Sequence, residues 1–201
     1  MANMPKFLSF LSDNTKDMYS VCELGAGHFE NFPHYRSRQR VGIELISSYI
    51  ENRVPGDWVV IHGNALEFDR LLATSGITPD VFTLIDFLEH VEKDAGLDLL
   101  KRLQKVARRI IIFAPHGTCN QSGEESFGFG ETSCAAKIEA KGEKEVAVEA
   151  QRHKSTWVTE DLVALGFTVD CDRNYHRVKQ CAAQIGTDGG AVIFGVWNKN
   201  A

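Results

Sequence analysis

Tyr19-Ser20-Val21-Cys22-Glu23-Leu24-Gly25-Ala26-Gly27-His28-Phe29 is the stretch that decides the fold. A short apolar run breaking into an acidic residue and two alternating glycines reads as a buried parallel strand entering a tight turn, where the backbone must approach something closely. In open α/β sheets ligands sit outside the carboxyl ends of the strands, so this turn is placed to floor a nucleotide pocket. Val41-Gly42-Ile43-Glu44 reads as a second short strand, ending in a carboxylate about where a ribose would lie. One carboxylate has enough lone pairs to accept from both ribose hydroxyls.

Outward from that stretch the chain alternates strand and helix signals. Phe7, Leu8, Phe10 and Leu11 sit at helical spacing ahead of the first strand, expected to pack on the sheet rather than cap the pocket. The polar segment 28–40 contains Pro33, which predicts an abbreviated first crossover. A helix over 46–53 closed by Val54-Pro55-Gly56, a strand at 58–61 and a helix over 68–74 stopped by Ser75-Gly76 follow. Val81-Phe82-Thr83-Leu84-Ile85 has the near-continuous apolar pattern of a strand buried on both faces and ends at Asp86. A helix over 94–106 and a strand over 109–114 complete the alternating part. These features predict an α/β fold with a doubly wound, mostly parallel sheet.

The alternation stops at Thr118. Residues 118–154, rich in Gly, Glu, Lys and Ala, read as a lid or insertion, with helical propensity over 135–150. Thr159 is expected to cap a helix that Gly166 ends. Strands at 167–169 and 191–197, separated by the polar excursion 175–190, are expected to form an antiparallel pair at one sheet edge. That makes seven strands in a single domain over 1–201, with no internal repeat.

The 201 residues are 43% hydrophobic and 24% charged, enough for one substantial core. A formal charge of −5 lacks the cationic footprint of a nucleic-acid binder, so nucleic acid is not the expected partner. The basic runs Arg36/Arg38/Arg40 and Lys101/Arg102/Lys105/Arg108/Arg109 read as solvated faces. Five scattered cysteines without Cys-x-x-Cys spacing imply a reduced protein, and no metal centre is expected. Residues 1–13 lack a continuous apolar core of signal-peptide length, and no run approaches a membrane span, so the expectation is a cytoplasmic protein.

The residues resemble the class I S-adenosylmethionine-dependent methyltransferases from about Val21 to Trp197. Four landmarks in order carry the resemblance: Val-Cys-Glu-Leu-Gly-Ala-Gly, Val-Gly-Ile-Glu, Gly63-Asn64-Ala65, and Leu84-Ile85-Asp86-Phe87-Leu88-Glu89-His90-Val91. The family often has a third glycine where Phe29 stands and an Asp where Asn64 stands. The resemblance implies a Rossmann-like sheet with an antiparallel last strand, and S-adenosyl-L-methionine as cofactor. It also implies that Glu23, Gly25, Ala26, Gly27, Glu44, Leu45, Asn64, Ala65, Asp86 and Phe87 bind that cofactor. Glu23 would neutralise its cationic end, Glu44 would accept from the ribose hydroxyls, and Asn64 and Ala65 would edge the adenine.

Methyl transfer to a small-molecule acceptor by in-line displacement is then the expected activity. Gln151-Arg152-His153-Lys154-Ser155-Thr156-Trp157 resembles a His-x-Ser-x-Trp stretch of some family members. His153 and His90 are the catalytic candidates, and His116 and Trp157 the substrate-binding ones. Asp86 also fits a helix N-cap, and His90 and His153 also fit structural roles. Two other functions share the pocket. One is a non-catalytic S-adenosylmethionine-binding protein. The other is a nicotinamide-dependent oxidoreductase, disfavoured because Glu30 falls where Gly-x-Gly-x-x-Gly needs its third glycine.

Overall fold

A computed structural model describes residues 4–51, 57–117, 132–173 and 191–199. Seven strands form one sheet in the order β3-β2-β1-β4-β5-β7-β6. They are β1 (Ser20–Leu24), β2 (Gln39–Glu44), β3 (Val59–His62), β4 (Val81–Ile85), β5 (Arg109–Pro115), β6 (Thr168–Asp172) and β7 (Val192–Asn198). Pairing is parallel throughout except for β7, which runs antiparallel to both neighbours. The expected doubly wound sheet with its antiparallel last strand is therefore the observed one, and β6 and β7 form the expected edge pair.

Every residue of β1 and β4 is buried, because helices cover both faces. Side chains alternate accordingly. Phe82, Leu84, Ile110 and Ile112 join the core under α3 (Phe68–Ser75) and α4 (Lys93–Val106), while Val81, Ile85, Ile111 and Phe113 join the core on the opposite face. That second core takes Phe7 and Leu11 of α1 (Met4–Thr15), and Phe7 packs on Phe113 at 4.7 Å between ring centroids. α1 thus packs on the sheet as expected. Its Phe7 and Leu8 also border the larger cavity described below, so the two alternatives for this helix are not exclusive.

The first crossover holds only the 310 turn Phe32–His34, as Pro33 requires. α2 is Ser47–Ile50; the expected closing Val54-Pro55-Gly56 lies outside the described residues, as do 118–131 and the excursion 175–190. Within the expected insertion, α5 (Thr132–Ala140) and α6 (Lys144–Gln151) are separated by Gly142 at φ 69°. Both helices are tied to α2. Ile138 and Ala147 bury with Ile46. Glu143 accepts from the backbone N–H and hydroxyl of both Ser47 and Ser48, at 2.5 to 3.2 Å.

α7 (Thr159–Val163) starts one residue earlier than a Thr159 cap allows. The Asp161 carboxylate accepts from Val158 N–H at 2.9 Å, so an acid inside the first turn does the capping and the Thr159 hydroxyl bonds Glu160 instead. Trp157, just before α7, is 1% exposed. Its Nε1 donates to the Leu88 carbonyl at 3.1 Å and to Ser155 Oγ at 2.9 Å. The ring fits against Gly96 of α4, where a Cβ would come within 2.6 Å of Trp157 Cζ2. Among the described residues no helix is long and apolar enough to cross a membrane.

Gly96→Ala tests this packing because helix propensity and packing pull in opposite directions. Propensity alone favours alanine by about 1 kcal/mol, whereas an overpacked methyl against a ring that cannot retreat costs about 1–3 kcal/mol. A lowered melting temperature in scanning calorimetry is expected; a raised one contradicts the packing.

Candidate functional site

The strand order reverses direction between β1 and β4, and the crevice at their carboxyl ends is where such sheets hold ligands. Gly25 leaves β1 at φ 70°, and a Cβ there would come within 2.5 Å of Phe87 Cδ2. Only glycine meets both conditions. Gly25 and Ala26 N–H donate to the Ile43 carbonyl at 2.9 and 3.1 Å, pinning the turn to β2. Gly27 N–H donates to Glu44 Oε2 at 2.7 Å, and Ile46 N–H to Glu44 Oε1 at 2.8 Å. Glu44 thus braces the glycine turn and the entry to α2, with lone pairs left over on both oxygens.

Phe29, standing where the family often has a third glycine, is at φ 61° and 1% exposed. The turn keeps its left-handed geometry with a bulky residue, and the ring is absorbed over Gly42, where a Cβ would lie 2.6 Å from Phe29 Cε1. Sequence reasoning found no role for Gly42; it is the space for that ring. Asp86, at the end of β4, is also at positive φ (46°), with its N–H bonded to the Phe113 carbonyl at 2.9 Å. Asn64 caps the 310 turn Ala65–Glu67 through its side-chain oxygen, which accepts from Leu66 N–H at 3.0 Å. Its amide NH2 is left as a donor, on a residue that borders the smaller cavity described below.

Two cavities open at this end of the sheet. The smaller, about 210 Å³, is bordered by Glu44, Leu45, Asn64, Ala65 and Phe87 together with Tyr49 and Lys154. The larger, about 630 Å³, is bordered by Glu23, Ala26, Asn31, His34 and Phe113. They share Gly25, Gly27, Asp86, His90 and Gln151, and so form one continuous groove. Every residue assigned to the cofactor borders one cavity or both. His116 and Trp157 border neither: His116 follows β5 with its N–H on the Ala191 carbonyl, and Trp157 belongs to the core. His153 borders neither directly, yet its ring packs edge-on against His90 at 4.9 Å.

The His-x-Ser-x-Trp run gains a structural meaning. Lys154 and Ser155 N–H donate to the Glu89 carbonyl at 2.7 and 3.2 Å, and Ser155 Oγ donates to the Leu88 carbonyl at 3.0 Å. With Trp157 Nε1 on the same Leu88 carbonyl, the run is stitched to the 310 turn Leu88–His90. His153 is held against His90 as a result. Asn31 and Tyr49 are site residues that sequence reasoning missed, and no local pattern marked them; Gln151 and Lys154 stood inside the quoted His-x-Ser-x-Trp run without a role. Glu89 stood inside a quoted landmark without a role.

Acids dominate the electrostatics. Glu23 is 1% exposed, accepts from Asn31 Nδ2 at 2.6 Å through Oε1, and leaves Oε2 buried with no partner. Burial, helped by the nearby Glu44 and Asp86 charges, pushes its pKa up to about 8. Burial also raises Glu44, against the pull of its backbone donors, and raises Asp86. Glu89 is raised by burial and by the Asp86 charge. His90 is lowered to about 4 by burial and by the charge of His153, so its ring is neutral at pH 7.

No family model matches the sequence, and no curated protein matches it. Solved structures do match. The methyltransferase domain of bacterial CtHen1-CN is 14% identical with a TM-score of 0.54, covering 97% of this chain and 96% of that one. The plantazolicin methyltransferase BamL, in complex with a triazolic desmethylPZN analogue and SAH, is 14% identical with a TM-score of 0.53, over 98% and 84% of the two chains. Small RNA methyltransferase HEN1 is 10% identical with a TM-score of 0.55, over 98% of this chain and 25% of that protein, so this chain spans a quarter of its length. The chain has the class I S-adenosylmethionine-dependent methyltransferase fold.

The raised Glu23 pKa fixes a stability profile. Below about pH 4.5 folded and unfolded chains both hold the proton; from there to about 8 only the folded chain keeps it. Its contribution therefore falls as pH rises through that window and levels off above it. Glu23→Gln, which retains the acceptor for Asn31, should flatten this part of the slope in denaturant midpoints measured across the window. A slope equal to wild type contradicts the assignment.

Proposed function

With that fold as premise, we propose that the chain is a methyltransferase that binds S-adenosyl-L-methionine along the groove and transfers its methyl group to a small-molecule acceptor. The observation that carries the reading is the pair of cavities meeting at Gly25, Gly27, Asp86 and His90, with a carboxylate at each end. The residues suit the cofactor. At Gly27 a Cβ would meet nothing within 4 Å, so the turn faces open space, and Glu23 Oε2 is a buried acceptor awaiting a donor. S-adenosylmethionine supplies a methyl group made electrophilic by its sulfonium.

The chain's own part is positioning. Glu44 and the Asn64 amide would hold the nucleoside in the smaller cavity, and Glu23 would meet the cationic amino-acid end. Aligning donor and acceptor contributes up to about 7–11 kcal/mol to a reaction of this kind. His90, which borders both cavities, and His153, packed against it, are assigned to handling the acceptor's proton, worth about 10²–10⁴-fold where that proton must leave. A pKa near 4 makes His90 a weak base, which favours His153 for removal. Ser155 and Trp157 position that segment rather than touch substrate. α5 and α6, clasped to α2 by Glu143, are assigned as the cover of the groove, since Gln151 borders both cavities and Ala150 the smaller. The net charge of −5 and a cavity of about 630 Å³ support a small acceptor over a nucleic acid.

Thermal shift separates this reading from an oxidoreductase. A ligand at a hundredfold its dissociation constant adds about 2.7 kcal/mol of stability. S-adenosylhomocysteine should stabilise the chain and NAD should not. Glu44→Ala should weaken the S-adenosylhomocysteine shift by the loss of charged hydrogen bonds worth about 1.5–3 kcal/mol each. Stabilisation by NAD alone, or an unchanged shift in Glu44→Ala, overturns the reading. Conversion of labelled S-adenosylmethionine with a panel of hydroxylated and aminated acceptors then separates an enzyme from a binding protein.

A further inference from the structure

Glu89, behind the groove and next to His90, which borders both cavities, is the buried acid that cofactor binding leaves unexplained. It is 4% exposed, and its Oε2 is buried without a hydrogen-bond partner. A carboxylate in that position is costly unless something positive meets it. Its Oε1 lies 3.9 Å from His90 Nε2, and His90 Nδ1 is also buried without a hydrogen-bond partner. One ligand-capable atom from each of Glu89, His90 and His153 lies within 4.8 Å of the others. Tetrahedral ligands about 2.0–2.2 Å from a shared ion stand about 3.3–3.6 Å apart. Side-chain rotation that draws the most separated pair in by about 1 Å closes the site.

The backbone is already set for such a site. Glu89 and His90 lie on one 310 turn, and the segment carrying His153 is fixed to that turn by the four hydrogen bonds to the Leu88 and Glu89 carbonyls. We propose that Glu89, His90 and His153 hold one divalent transition-metal ion at the junction of the two cavities. Two imidazoles and one carboxylate are a donor set for zinc, cobalt, manganese or iron rather than for magnesium or calcium. This departs from the sequence-level expectation of no metal, which considered cysteine spacing and each histidine separately.

Three protein ligands leave coordination positions open, and His90 borders both cavities, so an acceptor's oxygen or nitrogen can complete the shell. A hydroxyl held there loses its proton more readily than in water. With the ion bound, His90 and His153 give their lone pairs to it, and the ion takes over the proton handling assigned to them in its absence; this use of the ion rests on the methyl-transfer reading, and its binding does not.

The test begins with the full chain freed of metal by chelator and dialysis. Cobalt(II) is titrated in while the visible d–d absorption is followed, and zinc(II) binding is measured by calorimetry. One ion per chain is expected, with affinity reduced at least about 10-fold by Glu89→Gln and by His153→Ala and unchanged by Cys171→Ser, which removes a half-buried thiol elsewhere. Circular dichroism and the S-adenosylhomocysteine thermal shift check that each variant is folded, and His153→Ala, at a half-buried loop position, serves if Glu89→Gln is not. No saturable binding, or binding that survives both substitutions, overturns the site. Because S-adenosylhomocysteine binding is read separately in metal-free protein, failure of the metal site and failure of the methyltransferase reading are distinguishable.

Discussion

Four carboxyl groups, Glu23, Glu44, Asp86 and Glu89, crowd the carboxyl ends of three adjacent parallel strands, and burial raises the pKa of each. Acids in such numbers at the floor of a groove repel one another and lose hydration, so the arrangement is unfavourable in isolation. It becomes favourable when cations enter. The proposed sulfonium nucleoside, with its amino group, and the proposed divalent ion would each bring positive charge to these acids. The surrounding structure reads as the means of holding these acids in place without satisfying them all. Glu44 is braced by backbone donors on both oxygens, Glu23 Oε1 by Asn31, and Glu23 Oε2 and Glu89 Oε2 have no hydrogen-bond partner.

The scaffold achieves this by fixing backbone rather than side chains. The Ile43 carbonyl holds the glycine turn, the Phe113 carbonyl holds Asp86, and the Leu88 and Glu89 carbonyls hold the His153 segment. Each of these acceptors lies in the sheet or in the 310 turn directly after β4. The acidic groove therefore inherits the rigidity of the two cores, and Trp157 serves it from behind by locking α4 and the 310 turn to the segment that carries His153.

Much of this was legible from residues. The runs at Val21–Leu24 and Val81–Ile85 announce strands buried on both faces, because parallel strands under two helical layers need no polar face. Gly25 and Gly27 announce the turn, since both adopt positive φ. Less could be read where the deciding contact is long-range. Trp157 looked substrate-facing, but its place in the core depends on the missing side chain of Gly96, some sixty residues earlier. Asn31 gains its role only by reaching Glu23, and Glu143 only by meeting Ser47 and Ser48. Phe29 broke the glycine pattern without breaking the turn, because Gly42 on the neighbouring strand makes room for its ring. The Glu89, His90 and His153 cluster joins segments more than sixty residues apart, so no local spacing could reveal it.

If the buried acids exist to receive a cation, binding must expel the protons they hold when empty. Calorimetric titration of the chain with S-adenosylmethionine at neutral pH, repeated in buffers of different ionisation enthalpy, counts those protons directly. Net release, diminished in Glu23→Gln, is the predicted result. Binding with no release, or release unaffected by that substitution, would contradict the account.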